Sequence, residues 1–209
     1  TLLGNTIGNY NTALGYGALY TNVDGDGQTA IGYRALYQTE PSDGGGGNTA
    51  IGKDAGYGIT TGTSHVVIGN RAARTMHGGE RNVYIGAEVA YAATDGNSNT
   101  IIGNQAGYHL SGGSAVTSLG RNAGYYISGN YNTFLGQGAG RGISTGGNSY
   151  ENVVIGDSAM YYLYQGNYNV AIGKSALAGP VGGMSGDNNV VVGREAMNST
   201  TSGYETIAI

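Results

Sequence analysis

Two short patterns in the chain contain residues that could take part in catalysis. The segment Gly142-Ile143-Ser144-Thr145-Gly146 matches the GxSxG pattern, in which a serine attacks as nucleophile from a strand-to-helix turn. The corresponding loop of an earlier repeat, 58–62, is Gly-Ile-Thr-Thr-Gly, so the match is best explained as a loop variant. Gly173-Lys174-Ser175 resembles the end of a phosphate-binding loop, but Tyr168 replaces the first glycine that the motif requires. We therefore predict no catalytic residue and no enzyme.

The candidate metal ligands have the wrong spacing. His65, His77 and His109 are far apart and form neither an HxH nor an HExxH pair. The carboxylates of Asp24 and Asp26 could hold Ca²⁺, but the repetition that is typical of calcium-binding β-rolls is missing, and a solvated turn explains them better. The sequence predicts no metal site and no cofactor.

Composition excludes several classes of protein. The 209 residues include 42 Gly but only 2 Pro, and Gly does not recur at every third position, which excludes collagen. Charged residues make up 11%, with a net charge of −4 and no basic cluster, so we predict no nucleic-acid partner. No apolar run is long enough to span a bilayer, which predicts no membrane insertion in this segment.

One phrase, Asn-Thr/Val-x-Ile/Leu-Gly-x-x-Ala, recurs along the whole chain. Its glycine, here called the closing glycine, is usually 17 residues after the previous one, with single insertions that give 20. The closing glycines are Gly4, Gly15, Gly32, Gly52, Gly69, Gly86, Gly103, Gly120, Gly136, Gly156, Gly173 and Gly193. The pattern predicts one repeat array over residues 1–209, cut within a repeat at both ends and belonging to a longer fibre.

The residues before each closing glycine have the alternation of a short β-strand. Because side chains two apart in a strand share a face, the uniformly aliphatic residue before the glycine is predicted to face the core. The predicted core residues are Leu14, Ile31, Ile51, Ile68, Ile85, Ile102, Leu119, Leu135, Ile155, Ile172 and Val192. The β-branched residue two positions earlier would share that face, and the variable residue between them would point outwards.

The predicted fold is all-β: a parallel β-solenoid or β-roll of about twelve 17-residue coils. A second glycine, three residues before the Asn, indicates a corner in almost every repeat. The Asn would form a ladder along the axis, bonding to the next amide or to the turn backbone. Because a Gly-rich coil loses much entropy on folding, we expect rods to associate side by side as a homotrimer.

Tyrosine has a preferred place, five residues after the closing glycine. The residues are Tyr20, Tyr37, Tyr57, Tyr91, Tyr108, Tyr125 and Tyr161, whereas Arg74, Arg141, Ala178 and Asn198 occupy the same place elsewhere. Such a strip could dock a sugar or a protein, since tyrosine has a flat apolar face and a polar tip. The favoured interpretation is that the rings cover a seam between chains or shield the coil edges.

The phrase in Gln28-Thr29-Ala30-Ile31-Gly32-Tyr33-Arg34-Ala35-Leu36 resembles the repeats of phage tail fibres and bacterial surface fibres. It is also similar to the shorter head repeats of trimeric autotransporter adhesins. The resemblance covers essentially the whole chain and implies a parallel β-roll assembled as a homotrimer. It also implies an extracellular location, on a virion tail fibre or a bacterial surface.

The favoured function is that of a structural and adhesive fibre segment, whose partners are further copies of itself and a host-surface glycan or protein receptor. The alternative is an ice- or carbohydrate-binding solenoid that uses the Thr or Tyr ladder. Ice binding is disfavoured here because the Thr positions are predicted to point inwards. A carbohydrate-active enzyme would need paired carboxylates on neighbouring coils, and the acids are scattered.

Overall fold

The computed structural model describes residues 1–39, 46–143 and 147–209, and these residues form strands and turns with no helix. Each strand is only two or three residues long because a turn follows at the closing glycine. The strands are β1 (Thr12–Leu14), β2 (Thr29–Ile31), β3 (Thr49–Ile51), β4 (Val66–Ile68), β5 (Val83–Ile85), β6 (Thr100–Ile102), β7 (Thr117–Leu119), β8 (Thr133–Leu135), β9 (Val153–Ile155), β10 (Leu163–Gln165), β11 (Val170–Ile172), β12 (Met184–Ser185), β13 (Val190–Val192) and β14 (Ile207–Ala208).

Twelve of these strands form one parallel sheet in chain order, from β1 through β9 to β11, β13 and β14. Equivalent residues of successive repeats are paired, so that Thr12 lies opposite Thr29 and Leu14 opposite Ile31. Strands β10 and β12 pair separately, outside this sheet, in the segments between β9 and β11 and between β11 and β13. The predicted parallel β-solenoid is confirmed, with about 11 turns of about 17 residues.

The closing glycine is required by the turn that follows each strand. Its φ lies between 125° and 142° in the repeats from Gly15 to Gly193, a region that L-residues with a side chain rarely adopt. A Cβ on Gly15 would also lie 2.5 Å from the carbonyl oxygen of Gly32 in the next coil. Backbone therefore stacks on backbone at this corner, which fixes the spacing between coils.

The prediction of which strand face lines the core is wrong. In the twelve-strand sheet the middle residue of each strand from Ala30 to Val191 is the buried one, while the residues on either side are half-buried or exposed. Leu14 is 66% exposed and Leu119 is 50% exposed. The residues predicted as core form instead an outer aliphatic column, Leu14, Ile31, Ile51, Ile68, Ile85, Ile102, Leu119, Leu135, Ile155, Ile172 and Val192.

The interior has room for a variable residue because its volume is balanced within each coil. Where the inner strand residue is Phe134, the residue six positions later is Gly140, and a Cβ on that glycine would overlap the phenyl ring. Where the inner residue is Ala30, Leu36 fills the same space and is fully buried. In these coils a large residue at the strand centre is matched by a small one six positions later and a small one by a large one, as close packing requires. Variation at the strand centre therefore does not indicate an outer face.

The predicted Asn ladder is present and buried. The Oδ1 of Asn48 accepts the backbone N–H of His65 at 2.9 Å, and its Nδ2 donates to the carbonyl of Gly62 at 2.8 Å. The same pair of bonds recurs at Asn99 and Asn169, among others. Each ladder residue thus satisfies buried backbone groups of the next coil, which would otherwise lose their hydrogen bonds to water.

Candidate functional site

The tyrosines at the fifth position after the closing glycine lie in a stack along one edge of the solenoid. The ring centroids of Tyr20 and Tyr37 are 4.9 Å apart with an angle of 5° between the planes, and Tyr37 and Tyr57 are 5.2 Å apart. Tyr108 stacks in the same way on Tyr91 at 5.1 Å and on Tyr125 at 5.0 Å. The rings follow the coil repeat because the sheet fixes the same rise for every turn.

Two arginines continue the stack where tyrosine is missing. The guanidinium carbon of Arg74 lies 5.3 Å from the centroid of Tyr57 and 6.0 Å from that of Tyr91. Arg141 lies 5.3 Å from Tyr125 and 5.2 Å from Tyr161. A planar cation interacts favourably with the face of an aromatic ring, so arginine can replace a ring in such a stack.

We call this row the aromatic column: Tyr20, Tyr37, Tyr57, Arg74, Tyr91, Tyr108, Tyr125, Arg141 and Tyr161. The sequence placed the seven tyrosines in equivalent positions, and the structure brings all of them together. Sequence reasoning counted the two arginines as interruptions, although a planar cation at a tyrosine position is a recognisable signal. The row stops where Ala178 takes the next place in the repeat.

The backbone next to the column keeps the rings in register. The carbonyl of Arg74 accepts the N–H of Gly58 at 3.0 Å, and the carbonyl of Tyr91 accepts the N–H of Thr75 at 3.2 Å. The turn residue before the column residue has a positive φ, as at Leu36 with φ 47°. Hydrogen bonds between coils and this left-handed turn direct each side chain to the same edge.

Polar contacts between successive coils lie beside the column. The guanidinium of Arg34 bonds to Asp54 at 2.9 Å and lies 5.0 Å from the centroid of Tyr57. Further along, Gln105 donates to the Glu88 carboxylate at 2.9 Å, and this hydrogen bond lowers the pKa of Glu88. These charges cross-link successive coils on one side of the stacked rings.

The rings of the column offer their edges, rather than their faces, to solvent. Each inner ring has a ring or a guanidinium group on both sides, 4.9–6.0 Å from its centroid. Burial raises the pKa of Tyr37, Tyr108 and Tyr125. These three phenols are therefore neutral at physiological pH and can donate or accept a hydrogen bond. A ligand could reach the hydroxyl edges but has no free inner face on which to stack.

A second pair of aromatic rings lies beside the column, at residues that sequence reasoning did not group. His109 stacks on Tyr126 with centroids 4.8 Å apart and planes 7° apart, and Tyr126 meets Tyr125 edge to face at 4.8 Å. His109 and Tyr126 border a surface groove of about 590 Å³, which Ser128 and Asn148 also line. Their shared place, six residues after the closing glycine, was the available signal.

The other candidates from the sequence are not brought together. Ser144, Thr145 and Gly146 of the GxSxG match lie outside the described residues. The amino group of Lys174 lies 3.4 Å from the carboxylate of Asp157 on the surface. The Asp26 carboxylate accepts the backbone N–H of Asn9 at 2.5 Å. Within the ranges the structure describes, no group of three or more His, Asp or Glu side chains could hold a metal ion.

His65 has a structural position. It replaces Asn in the buried ladder, and its Nδ1 accepts the N–H of Asn82 at 3.3 Å. Burial lowers the pKa of His65 to about 4, so the ring is neutral at physiological pH. The three histidines therefore share no site, since His65 is buried in the ladder and His109 is in the surface groove.

Comparison with known proteins gives no relative. No protein-family model, no curated protein and no solved structure matches the chain. In the part of the chain that the structure covers, there is also no helix of the length and apolarity that crossing a bilayer would require.

Proposed function

We propose that this chain is a rigid segment of an extracellular attachment fibre, in which copies associate along the outer aliphatic column. The observation that carries the proposal is the apolar outer face of the twelve-strand sheet. Leu14, Leu119, Ile51 and Ile172 are 66%, 50%, 37% and 37% exposed, although they are aliphatic in a repeat that varies elsewhere. Contiguous apolar surface of this kind is typical of interfaces.

The shape of this face suits association along the axis. Twelve strands at about 4.8 Å spacing make a stripe about 53 Å long. Its other residues are Thr and Val, as at Thr49 and Val66, with Ile207 in the last strand, and these residues pack well against a second flat surface. Ordered stacking of identical coils also makes the rod stiff, since every coil is bonded to both neighbours.

The proposed assembly is a homotrimer with its three stripes facing a common axis. Covering the stripe in this way removes apolar surface from water, at about 25 cal/mol per Å². The stoichiometry follows the resemblance of the repeat to surface-fibre proteins, and so does the location on a virion tail fibre or bacterial surface. In this arrangement the aromatic column stays accessible to a glycan or protein receptor.

Sedimentation equilibrium of the whole chain tests the proposal. A trimer gives three times the chain mass of 21.2 kDa at micromolar concentration. Ile172→Glu should convert it to monomers, because a carboxylate cannot be buried unpaired in an apolar interface. The control is Val181→Glu, in the turn region between β11 and β12, outside the stripe and at a residue that is 77% exposed. A monomeric wild-type chain over the whole concentration range would contradict the proposal.

Ice binding is the second candidate, because it was disfavoured only on the prediction that the threonines point inwards. The threonines of the strands, such as Thr12, Thr100 and Thr117, lie on the exposed outer face and not in the core. A flat array with a regular spacing of about 4.8 Å could match a crystal surface. Thr gives way to Val66, Val83 and three later Val residues, so the fibre is favoured. Thermal hysteresis by a monomeric chain would favour ice binding instead.

A further inference from the structure

Two cations of the aromatic column have no carboxylate partner among the described residues. Beside the column, Arg34 pairs with Asp54 at 2.9 Å, and Arg71 pairs with a carboxylate in the same way at 3.1 Å. Arg74 and Arg141 belong to none of the ion pairs in the described part of the chain. The column therefore holds two positive charges that no carboxylate of these residues offsets by a direct contact.

The faces of both guanidinium groups are covered, whereas their ends are open. Arg74 lies between the rings of Tyr57 and Tyr91, and Arg141 lies between two tyrosines in the same way. The Nε of Arg74 is buried without a hydrogen-bond partner, but neither of its terminal amino groups is among the buried unpaired atoms of the described residues. A carboxylate can bind such an open end through two parallel N–H···O bonds.

Three phenol hydroxyls lie between the two cations. The rings of Tyr91, Tyr108 and Tyr125 are stacked at 5.1 Å and 5.0 Å, and none of their hydroxyl oxygens is among the buried unpaired atoms of the described residues. Each hydroxyl can both donate and accept a hydrogen bond. Four coil steps of about 4.8 Å place the cations about 19 Å apart along the axis. The edge of the column is thus a row of hydrogen-bonding groups with a positive charge at each end.

This wide spacing of charge favours a sparsely charged polymer as the ligand. A nucleic acid has a phosphate at every nucleotide, and proteins that bind its single strands stack the bases on open aromatic faces, which the inner rings here do not offer. A neutral glycan would leave both cations without a partner. A linear polysaccharide with carboxylates on some of its sugars has hydroxyl groups along its whole length, and one sugar of an extended chain is about as long as one coil step.

We infer that the aromatic column binds a linear acidic polysaccharide, which lies along the solenoid axis. One uronic acid carboxylate binds the terminal amino groups of Arg74 and a second binds those of Arg141. The sugar hydroxyls between them exchange hydrogen bonds with the three phenols. The inference rests on the proposed attachment function and names the class of its receptor. The column lies on a different edge of the coil from the outer aliphatic column, so the two surfaces can be tested separately.

The test is calorimetric titration of the full chain with hexagalacturonate at low salt, where screening of the charges is weak. We expect a Kd of about 1 mM or lower, and at least about tenfold weaker binding of the fully methyl-esterified hexasaccharide, which has no charged carboxylate. Arg74→Tyr restores the usual column residue and keeps the stack, and it should weaken binding of the acid at least about tenfold. Arg74→Lys keeps the charge without the fork and should bind with intermediate affinity.

The control is Arg81→Ser, which removes one positive charge at a corner outside the column. Ser64 and Ser98 occupy the equivalent place in the neighbouring coils, with φ of 59° and 58° against 55° at Arg81, so the fold accepts serine there. This variant should bind as the wild type does. Should Arg74→Tyr lose the circular dichroism spectrum of the wild type, Arg141→Tyr replaces it with the same expected loss.

Absence of binding to hexagalacturonate overturns the inference, and so does equal binding of its methyl ester or binding that Arg74→Tyr leaves unchanged. Tighter binding of a single-stranded DNA of similar length overturns the polymer class. Sedimentation decides the fibre proposal independently of these results. A trimer that binds no acidic oligosaccharide overturns only the present inference, whereas a monomer whose binding depends on Arg74 overturns only the trimer.

Discussion

The two faces of each short strand contrast in an unexpected way. The inner residue, fully buried at most positions, ranges from Ala30 to Tyr84 and Phe134. The outer residue directly before the closing glycine is always aliphatic, although Leu14 and Leu119 are at least half exposed. In a simple two-layer protein the buried position would vary least from repeat to repeat. Here the buried position varies in size, whereas the exposed position before the closing glycine is aliphatic in every repeat.

The difference shows that uniformity along a repeat and burial within one chain are separate properties. The interior of each coil is closed by its own turn, so a large residue can be balanced by a small one nearby. Ile101 is matched by Gly107, where a Cβ would approach the Ile101 Cδ1 to 2.8 Å. The outer column has no such partner within the chain, and its uniformity points to a flat, shared surface.

The largest effect should come from emptying the interior. Phe134→Ala should lower the free energy of unfolding by about 3–5 kcal/mol, because the ring is 1% exposed and leaves a cavity. Adding Gly140→Leu should restore more than half of the loss, since Leu36 occupies the equivalent place with a φ of 47°. Guanidinium unfolding at a fixed chain concentration measures both. A double variant no more stable than Phe134→Ala would disprove the size compensation.

The next effect concerns the buried polar ladder, through pH. The pKa of His65 is about 4 in the folded chain and 6.5 when exposed, so only the unfolded chain gains this proton between these values. Stability should therefore fall as pH drops from about 6.5 to 4, by about 3 kcal/mol from this residue. His65→Asn restores the usual ladder residue and should remove that dependence. If the unfolding free energies of the wild type and of His65→Asn changed equally with pH, this role of His65 would be refuted.

A smaller effect is expected at the aromatic edge, which is half-buried. Tyr37→Ala removes two stacked contacts, with Tyr20 and Tyr57, and should cost about 1–3 kcal/mol. Ala178 already occupies the same place in a later coil, so the backbone accepts alanine there. Tyr10→Ala, at an exposed ring, serves as control and should change stability by less than about 0.5 kcal/mol. Equal losses in the two variants would show that stacking contributes nothing.

The smallest effect should come from the outer aliphatic column itself. In the dissociated chain, Leu119→Thr should change the unfolding free energy by less than about 0.5 kcal/mol, because the side chain is half exposed. Thr already occurs on that face, so strand propensity is preserved. The measurement is urea unfolding at dilutions where sedimentation shows monomers. A loss comparable with that of Phe134→Ala would mean that this column, too, contributes to a core.

The amino-acid sequence by itself determined the strands, the coil period, the ladder and the place of the tyrosines. These features repeat at fixed intervals, and a local rule such as alternation along a strand or a glycine-only turn specifies each of them. Alternation also divided the strand residues correctly into two sets, one with Leu14 and Ile31 and the other with Ala13 and Ala30. It could not say which set is inside.

Only the tertiary structure decided that question, because alternation along a strand does not say which of its two faces the turns will enclose. The bend at the closing glycine directs Ala35, Leu36 and their equivalents under the inner residues, so the smaller and more variable set is enclosed. The places of Arg74 and Arg141 in the aromatic column, and the contact of His109 with Tyr126, are likewise visible only in the tertiary structure. Their contacts run between coils, and the spacing of coils in space is set by backbone pairing that no single repeat contains.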